Sequence, residues 1–153
     1  MRHQDFMRLA LQQAQIAMQH GEVPVGAVLV AHEKVLALAS NVRESAKDPV
    51  GHAEVVALRE GARRLDRWRL TGCTLYVTLE PCPMCTAAAI LARIERLVFG
   101  ASDPKLGACG TVWHLPGSAA WNHRLEIVGG ILEQESGELL HDFFAKCRIA
   151  RLP

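Results

Sequence analysis

The sequence lacks any apolar stretch long enough to cross a bilayer, and no secretory segment opens it. It also lacks internal repeats, low-complexity segments and a recognisable interdomain linker. These absences exclude a membrane-spanning protein and a repeat array. With 153 residues and 50% hydrophobic content, the chain is long enough for one domain, residues 1–153, to bury most of its apolar surface. The five cysteines form an odd set, which together with the missing secretory segment predicts reduced thiols and a cytoplasmic location.

The sequence has almost no net charge, with a formal value of +1. This value neither demands nor excludes a nucleic-acid partner, because binding depends on where the positive charges lie. Basic residues concentrate in two clusters, which are Arg59, Arg63, Arg64, Arg67 and Arg69 at helical spacing, and Lys146, Arg148 and Arg151 near the end of the chain. Such clusters are more often solvated faces than phosphate-binding sites, and the sequence leaves both interpretations open.

Apolar periodicity predicts helices that alternate with strands. Helices are predicted over residues 6–18, 52–65, 86–92 and 138–147, and strands over 25–30, 35–39, 74–79, 97–100 and 125–128, the first two as a hairpin. Turn residues mark loops at 48–51 and 103–110. The alternation predicts a layered α/β fold in which helices cover both faces of the sheet.

The most informative motif is His52-Ala53-Glu54, followed downstream by Pro81-Cys82-Pro83-Met84-Cys85. One imidazole and two thiolates supply three of the four positions of tetrahedral zinc, which leaves the fourth open for water, as in catalytic sites. The spacing H-x-E followed by P-C-x-x-C is the zinc signature of nucleobase deaminases. Glu54 is close enough to His52 in sequence to move protons at that open position. The motif therefore predicts a hydrolytic zinc site.

Two other interpretations use the same residues. Cys82 and Cys85 could form a redox dithiol, although that leaves His52 and Glu54 without a role. A closed structural zinc site would need a fourth ligand, for which Cys73, Cys109, His114 and His123 are available. None of those four residues belongs to a second pair of ligands spaced like Cys82 and Cys85. Cys73, Cys109 and Cys147 are more typical of small side chains packed in the core.

Over nearly its whole length the chain resembles the cytidine deaminase-like superfamily and, within it, the bacterial tRNA adenosine deaminases that edit the wobble base. The resemblance is carried by Glu22-Val23-Pro24-Val25-Gly26-Ala27, Asn41, Asp48-Pro49, His52-Ala53-Glu54, Leu75 to Cys82, Asn122-His123-Arg124 and Asp142-Phe143-Phe144. The zinc motif is common to the superfamily, and the last two segments favour the tRNA branch. The resemblance implies a three-layer α/β/α fold with a mixed five-stranded sheet.

The resemblance also implies a reaction, which is zinc-dependent deamination of the wobble adenosine in a tRNA anticodon stem-loop to inosine. His52, Cys82 and Cys85 would bind one zinc per subunit, and Glu54 would transfer protons. Asn41 and the backbone of Ala53 would contact the base in a pocket walled by Val23, Pro24, Val25 and Leu79. The resemblance places Asp103 and Lys105 in a loop near the RNA backbone and implies a homodimer. Asn122 and Phe144 are weaker candidates for contacts to the flanking nucleotides. Plain packing or turn roles explain several of these residues equally well.

Some positions depart from the family pattern, namely Ser40, Val50-Gly51 and Cys109. These departures leave the zinc ligands intact and bear on substrate selection. Two alternative functions therefore stay open, a deaminase of small nucleobases or nucleotides such as guanine, cytosine or dCMP, and a zinc module without catalysis.

Overall fold

The structure is a computed structural model that describes residues 2–151. Five strands form one sheet at the centre of the fold. They are β1 (Gly26–Ala31), β2 (Lys34–Ser40), β3 (Cys73–Leu79), β4 (Arg96–Ala101) and β5 (Glu126–Val128), in the spatial order β2-β1-β3-β4-β5. Strand β1 is antiparallel to both β2 and β3, whereas β3, β4 and β5 run parallel. The predicted mixed five-stranded sheet is confirmed.

The predicted hairpin is also confirmed. Ala31 of β1 lies opposite Lys34 of β2, and the two residues between them, His32 and Glu33, have φ angles of 49° and 62°. A two-residue loop with positive φ at both positions is the hairpin turn whose twist matches that of the flanking strands.

Helices cover both faces of the sheet. One face carries α1 (His3–Gln19) and α4 (Glu133–Ala150), and the other carries α2 (Ala53–Leu65) and α3 (Pro83–Leu91). Successive side chains of β1 point to opposite faces of the sheet. Val28 and Val30 pack with α1, whereas Ala27 and Leu29 pack in the cluster that includes residues of α2 and α3. The fold is the predicted three-layer α/β/α arrangement.

Both helix layers approach the sheet at glycines. A Cβ atom on Gly26 of β1 would lie 2.0 Å from the carbonyl oxygen of Ala10 in α1. A Cβ atom on Gly61 of α2 would lie 2.1 Å from Cδ2 of Leu29. Any larger residue would push the helix away from the sheet, so these two positions fix how tightly the layers pack.

Three helices begin earlier than predicted. Helix α1 starts at His3 rather than residue 6, because the carboxylate of Asp5 accepts a hydrogen bond from the N–H of Arg2 at 3.0 Å and so caps the first turn. Helix α3 starts at Pro83 rather than residue 86, because proline fits the first helical position, where no backbone N–H is required. Helix α4 starts at Glu133 rather than residue 138, since its polar first turn shows no apolar periodicity but suits the positive end of the helix dipole. Within the described residues, no helix is both long and apolar enough to span a membrane.

Candidate metal centre and active site

The sheet topology gathers the candidate residues at one edge. Because β1 is antiparallel to β3 and β4 is parallel to it, the start of β1 and the ends of β2, β3 and β4 meet at the same edge. Helices α2 and α3 begin there as well, with His52 and Cys82 as their N-cap residues. Residues that lie far apart in the sequence therefore surround one point.

The three predicted metal ligands form a cluster at this edge. Nδ1 of His52 lies 3.7 Å from Sγ of Cys82 and 3.3 Å from Sγ of Cys85, and all three ligand atoms lie within 4.8 Å of one another. Tetrahedral zinc, with Zn–S of about 2.3 Å and Zn–N of about 2.0–2.1 Å, would hold a sulfur and a nitrogen about 3.6 Å apart. The donor set and its spacing therefore fit a zinc ion.

The electrostatics of the cluster favour a thiolate. A hydrogen bond from the Cys85 thiol, together with His52, lowers the pKa of Cys82 to about 4 despite its partial burial. The same pairing with Cys82, reinforced by burial, raises the pKa of Cys85. The hydrogen bond with Cys82 also raises the pKa of His52, against the opposing effect of burial. Both helix N-termini add partial positive charge, which suits deprotonated sulfur and a metal site built from it.

No fourth protein ligand joins this cluster from residues 2–151. Cys73 lies in the core at the start of β3, and His123 bonds to the carbonyl oxygen of Ile94 through Nε2. Cys109 is buried against the hydroxyl of Thr86 at 3.3 Å, and burial raises its pKa to about 11. A site with three protein ligands leaves one tetrahedral position open, as in catalytic zinc sites.

Glu54 lies in the first turn of α2 beside the cluster, and it is only 4% exposed. Burial raises the pKa of its carboxyl, against the smaller opposing effects of hydrogen bonds and of His52. A buried carboxyl with a raised pKa binds a proton more readily than an exposed one, which suits a general acid and base.

A cavity of about 210 Å³ opens directly above the cluster. It is smaller than the about 300–1,000 Å³ of sites for drug-sized molecules, so it suits a single base rather than a larger ligand. We call this space the base cavity, and its lining consists of Val23, Val25, Asn41, Arg43, His52, Ala53, Glu54, Leu79, Glu80, Cys82, Asp103 and Leu106. The apolar members come from the segment before β1, from the end of β3, from the start of α2 and from the loop after β4.

Asn41 supplies an unused polar group to the base cavity. Its backbone N–H donates to the carbonyl of Val25 at 3.1 Å, which fixes the residue at the end of β2. Its side-chain Oδ1 is buried and has no hydrogen-bond partner among the described residues. A buried acceptor without a partner is costly, and a ligand that donates to it would remove that cost.

Two buried glutamates, absent from the sequence-based predictions, hold the loops around the cavity. Glu80 accepts hydrogen bonds from the backbone N–H groups of Asp103, Cys109 and Thr111 and from the Thr111 hydroxyl. It thereby ties residues 103–111 to the end of β3. The only sequence signal for this role of Glu80 is its position directly before the Pro-Cys ligand motif. The sequence does not show its hydrogen-bond partners, because they lie more than 20 residues away along the chain.

Glu22 has the corresponding role on the opposite side. It accepts hydrogen bonds from the backbone N–H groups of Glu44 and Ser45 and from the Ser45 hydroxyl, at 2.9–3.1 Å. Burial opposes its ionisation, but these hydrogen bonds outweigh burial and lower the pKa of Glu22. The loop after β2, which carries Asn41 and Arg43, is therefore anchored by a charged group.

A second opening, which we call the flanking groove, adjoins the base cavity. Its volume is about 810 Å³, and its lining consists of Gly21, Glu22, Val23, Asn41, Arg43, Glu44, Lys105, Phe143, Phe144, Cys147, Arg148 and Arg151. Lys105 and Phe144 therefore line this groove rather than the base cavity. Asn122 lines neither space, and its Oδ1 accepts a hydrogen bond from Arg93 at 3.0 Å.

The two basic clusters differ in their pairing. Arg63 and Arg64 of α2 form ion pairs with Glu60, and Arg59 pairs with Asp48 at 3.8 Å. This first cluster has the pairing expected of a solvated helix face. The second cluster instead contributes Arg148 and Arg151 to the flanking groove.

Comparisons with known proteins agree with this geometry. A family model described as MafB19-like deaminase matches residues 1–148. The chain is 47% identical to the tRNA-specific adenosine deaminase of Bacillus subtilis over 143 residues, covering 94% of this chain and 89% of that protein. It is 47% identical to the enzyme of the same name from Haemophilus influenzae, covering 93% and 83%. A solved structure from a study of A-to-I editing by tRNA:A34 deaminases matches with a TM-score of 0.86 and 43% identity, covering 89% and 99%.

Proposed function

This chain belongs to the MafB19-like deaminase family, and we propose that it converts the wobble adenosine of a tRNA anticodon loop to inosine by hydrolysis, with release of ammonia. The observation that carries the proposal is the His52, Cys82 and Cys85 cluster beside buried Glu54 in a cavity of base size. The names of the relatives point to adenosine in tRNA as the substrate. We treat residues 1–153 as one deaminase domain.

Zinc is the metal that the donor set supports best. His52, Cys82 and Cys85 would hold one ion per chain, because one imidazole and two thiolates at these distances match tetrahedral coordination. When bound, zinc supplies a Lewis acid that makes water a nucleophile near neutral pH.

Glu54 is placed to carry the protons of the reaction. It would take one proton from the attacking water and deliver it to the adenine ring, and would then take the proton of the new hydroxyl at C6 and deliver it to the leaving amino group, so that ammonia departs and the C6 carbonyl forms. Its burial keeps bulk water away from this exchange and raises its pKa above the ordinary value of a glutamate. Glu80, the other buried carboxyl in the lining of the cavity, is instead engaged by hydrogen bonds from residues 103–111.

Asn41 and Ala53 would orient the base. The unpartnered Oδ1 of Asn41 can accept a hydrogen bond from the base edge, and the Ala53 backbone at the start of α2 faces the same cavity. Val25 and Leu79 supply the apolar walls that exclude water.

Contacts beyond the base are proposed for four further residues. Oδ1 of Asp103 already accepts from the backbone N–H groups of Lys105 and Leu106, which leaves its second oxygen for a ribose 2′-hydroxyl. Lys105 and Phe144 lie in the flanking groove, where neighbouring nucleotides would pass. For Asn122, whose oxygen is held by Arg93, the nucleotide contact stays a prediction.

We also propose a homodimer, on the basis of exposed apolar side chains. Trp68 is 59% exposed and Leu91 is 56% exposed, and both belong to the surface of the layer formed by α2, α3 and their connections. The Trp68 ring is covered in part by Arg69, whose Cζ lies 4.7 Å from the ring centroid, and exposed apolar side chains of this size support a protein interface on this layer. The two thiol ligands require reducing conditions, which supports the predicted cytoplasmic location.

A substrate comparison tests the proposed function. Zinc-loaded protein is incubated with an anticodon stem-loop RNA that carries a wobble adenosine, and separately with guanine, cytosine and dCMP. The proposal predicts inosine in the RNA and little product from the small molecules. Deamination of a small molecule with the RNA left intact would instead establish the alternative function, and no turnover of any substrate would favour a non-catalytic zinc module.

A further inference from the structure

We propose that Arg43 binds the phosphodiester next to the target nucleotide, at the junction of the base cavity and the flanking groove. The inference rests on the proposed function and concerns how the site distinguishes a nucleotide within an RNA chain from a free base. Arg43 was not among the residues predicted from the sequence.

The position of Arg43 is the first argument. The base cavity and the flanking groove share Val23, Asn41 and Arg43, so the two spaces adjoin there. A base held in the cavity would leave its sugar and phosphates at this junction. Among the described residues, Arg43 is the only lysine or arginine in the lining of the base cavity, and it also lines the flanking groove.

The backbone around Arg43 is fixed, whereas its side chain is exposed. The carbonyl of Arg43 accepts a hydrogen bond from the N–H of Asp48 at 3.1 Å, and the next two N–H groups donate to Glu22. Within residues 2–151 the guanidinium forms no salt bridge, and the nearby carboxylate of Glu22 is already engaged by three donor groups. A pre-positioned, unpaired guanidinium is suited to a phosphate, which it can bind through two hydrogen bonds.

The charge balance of the groove supports the same ligand. Four cationic side chains, Arg43, Lys105, Arg148 and Arg151, line it against two glutamates, of which Glu22 is internally hydrogen-bonded. None of the four forms an ion pair within the described part of the chain, in contrast to the paired arginines of α2. Cations left unpaired along one groove are typical of a surface that follows a nucleic-acid backbone.

Aromatic side chains complete the groove. Phe144 is 45% exposed, and its ring meets that of Phe143 edge to face at 5.3 Å between centroids. Exposed rings beside cations provide stacking surfaces for the bases of a single strand. The groove therefore combines the two features that bind unpaired RNA without reading its sequence, positive charge and exposed aromatic faces.

The test uses the full-length, zinc-loaded protein with Arg43→Gln and an anticodon stem-loop RNA as the probe. The KM for the stem-loop should rise about tenfold, equivalent to about 1.4 kcal/mol, with kcat nearly unchanged because the phosphodiester does not react. The dependence of log KM on log salt concentration should become shallower by about 0.7, the value for one phosphate contact of a single strand. Arg43→Lys, which keeps the charge but lacks the planar guanidinium, should keep the wild-type salt dependence and recover only part of the affinity.

Arg63→Gln is the matched control, since Arg63 is an exposed arginine paired with Glu60 outside both cavities. It should leave KM and its salt dependence unchanged. The inference is overturned if Arg43→Gln behaves like Arg63→Gln, or if it lowers kcat at constant KM, which would mean that Arg43 acts through the base cavity. If the wild-type protein binds the stem-loop but forms no inosine, the proposed function fails, whereas the salt dependence of binding still tests Arg43.

Discussion

Replacing Glu80 with glutamine should destabilise the loop that closes one side of the base cavity. Oε1 of Glu80 accepts from the N–H of Asp103 and from the Thr111 hydroxyl, and Oε2 accepts from the N–H groups of Cys109 and Thr111. Glutamine would place an NH₂ group where one oxygen now accepts. The glutamine amide fits best with its NH₂ group at the Oε1 position, because the Thr111 hydroxyl, which now donates to Oε1, can rotate and accept from that NH₂ group.

The magnitude follows from these contacts. The N–H of Asp103 loses its acceptor, and a hydrogen bond to a charged group contributes about 1.5–3 kcal/mol. The two bonds at Oε2 remain but lose the carboxylate charge that strengthens them. We therefore expect Glu80→Gln to lower the free energy of unfolding by about 2–4 kcal/mol. The KM for the stem-loop should also rise, since Asp103 and Leu106 of this loop line the base cavity.

Urea denaturation at a fixed zinc concentration, followed by circular dichroism, measures this loss as a shift of the midpoint at constant slope. Glu126→Gln is the matched control, because Glu126 is an exposed glutamate that pairs with Arg96 at 2.7 Å, and a surface pair contributes about 0–1 kcal/mol. If Glu80→Gln costs no more than Glu126→Gln, the assignment of Glu80 as the anchor of residues 103–111 is refuted.

Two further predictions concern the metal ligand Cys85 and the buried carboxylate of Glu22. Cys85→Ser should abolish zinc binding as measured by metal analysis, whereas Cys147→Ser on α4 should leave the zinc content unchanged. Glu22→Gln should cost about 1–3 kcal/mol at pH 7, where the ionised carboxylate accepts its hydrogen bonds. Because the folded-state pKa of Glu22 lies below the ordinary value of 4.5, this cost should persist above pH 4.5 and shrink as the pH falls through the folded-state pKa. A cost that does not change with pH would contradict the role of its charge.

The zinc ligands could be predicted from the sequence because their chemistry is local. His52 with Glu54, and Cys82 with Cys85, each occupy one helix start, so short spacings suffice to find them. The alternation of helices and strands is likewise a local pattern, and it gave the layered fold correctly. Family resemblance supplied the mixed strand directions of the sheet and the substrate, neither of which follows from residue spacing.

Other parts of the site depend on contacts between distant segments. Glu22 and Glu80 are ordinary glutamates in the sequence, and only the folded chain shows that each is buried and bound to a loop more than 20 residues away. Arg43 acquires its position from the adjoining cavities, which no local pattern encodes. Conversely, Asn122 belongs to a motif that suggested RNA contact, but its oxygen is held by Arg93, which ties the segment before β5 to the end of α3.

Zinc content and inosine formation, measured together in Glu54→Gln, test the central claim most directly. The substitution keeps the volume of the side chain and removes its ability to transfer protons. We predict that the wild-type protein binds one zinc per chain and forms inosine at the wobble position. The variant should bind the same amount of zinc and form essentially none. Inosine formation by Glu54→Gln at the wild-type rate would contradict the account.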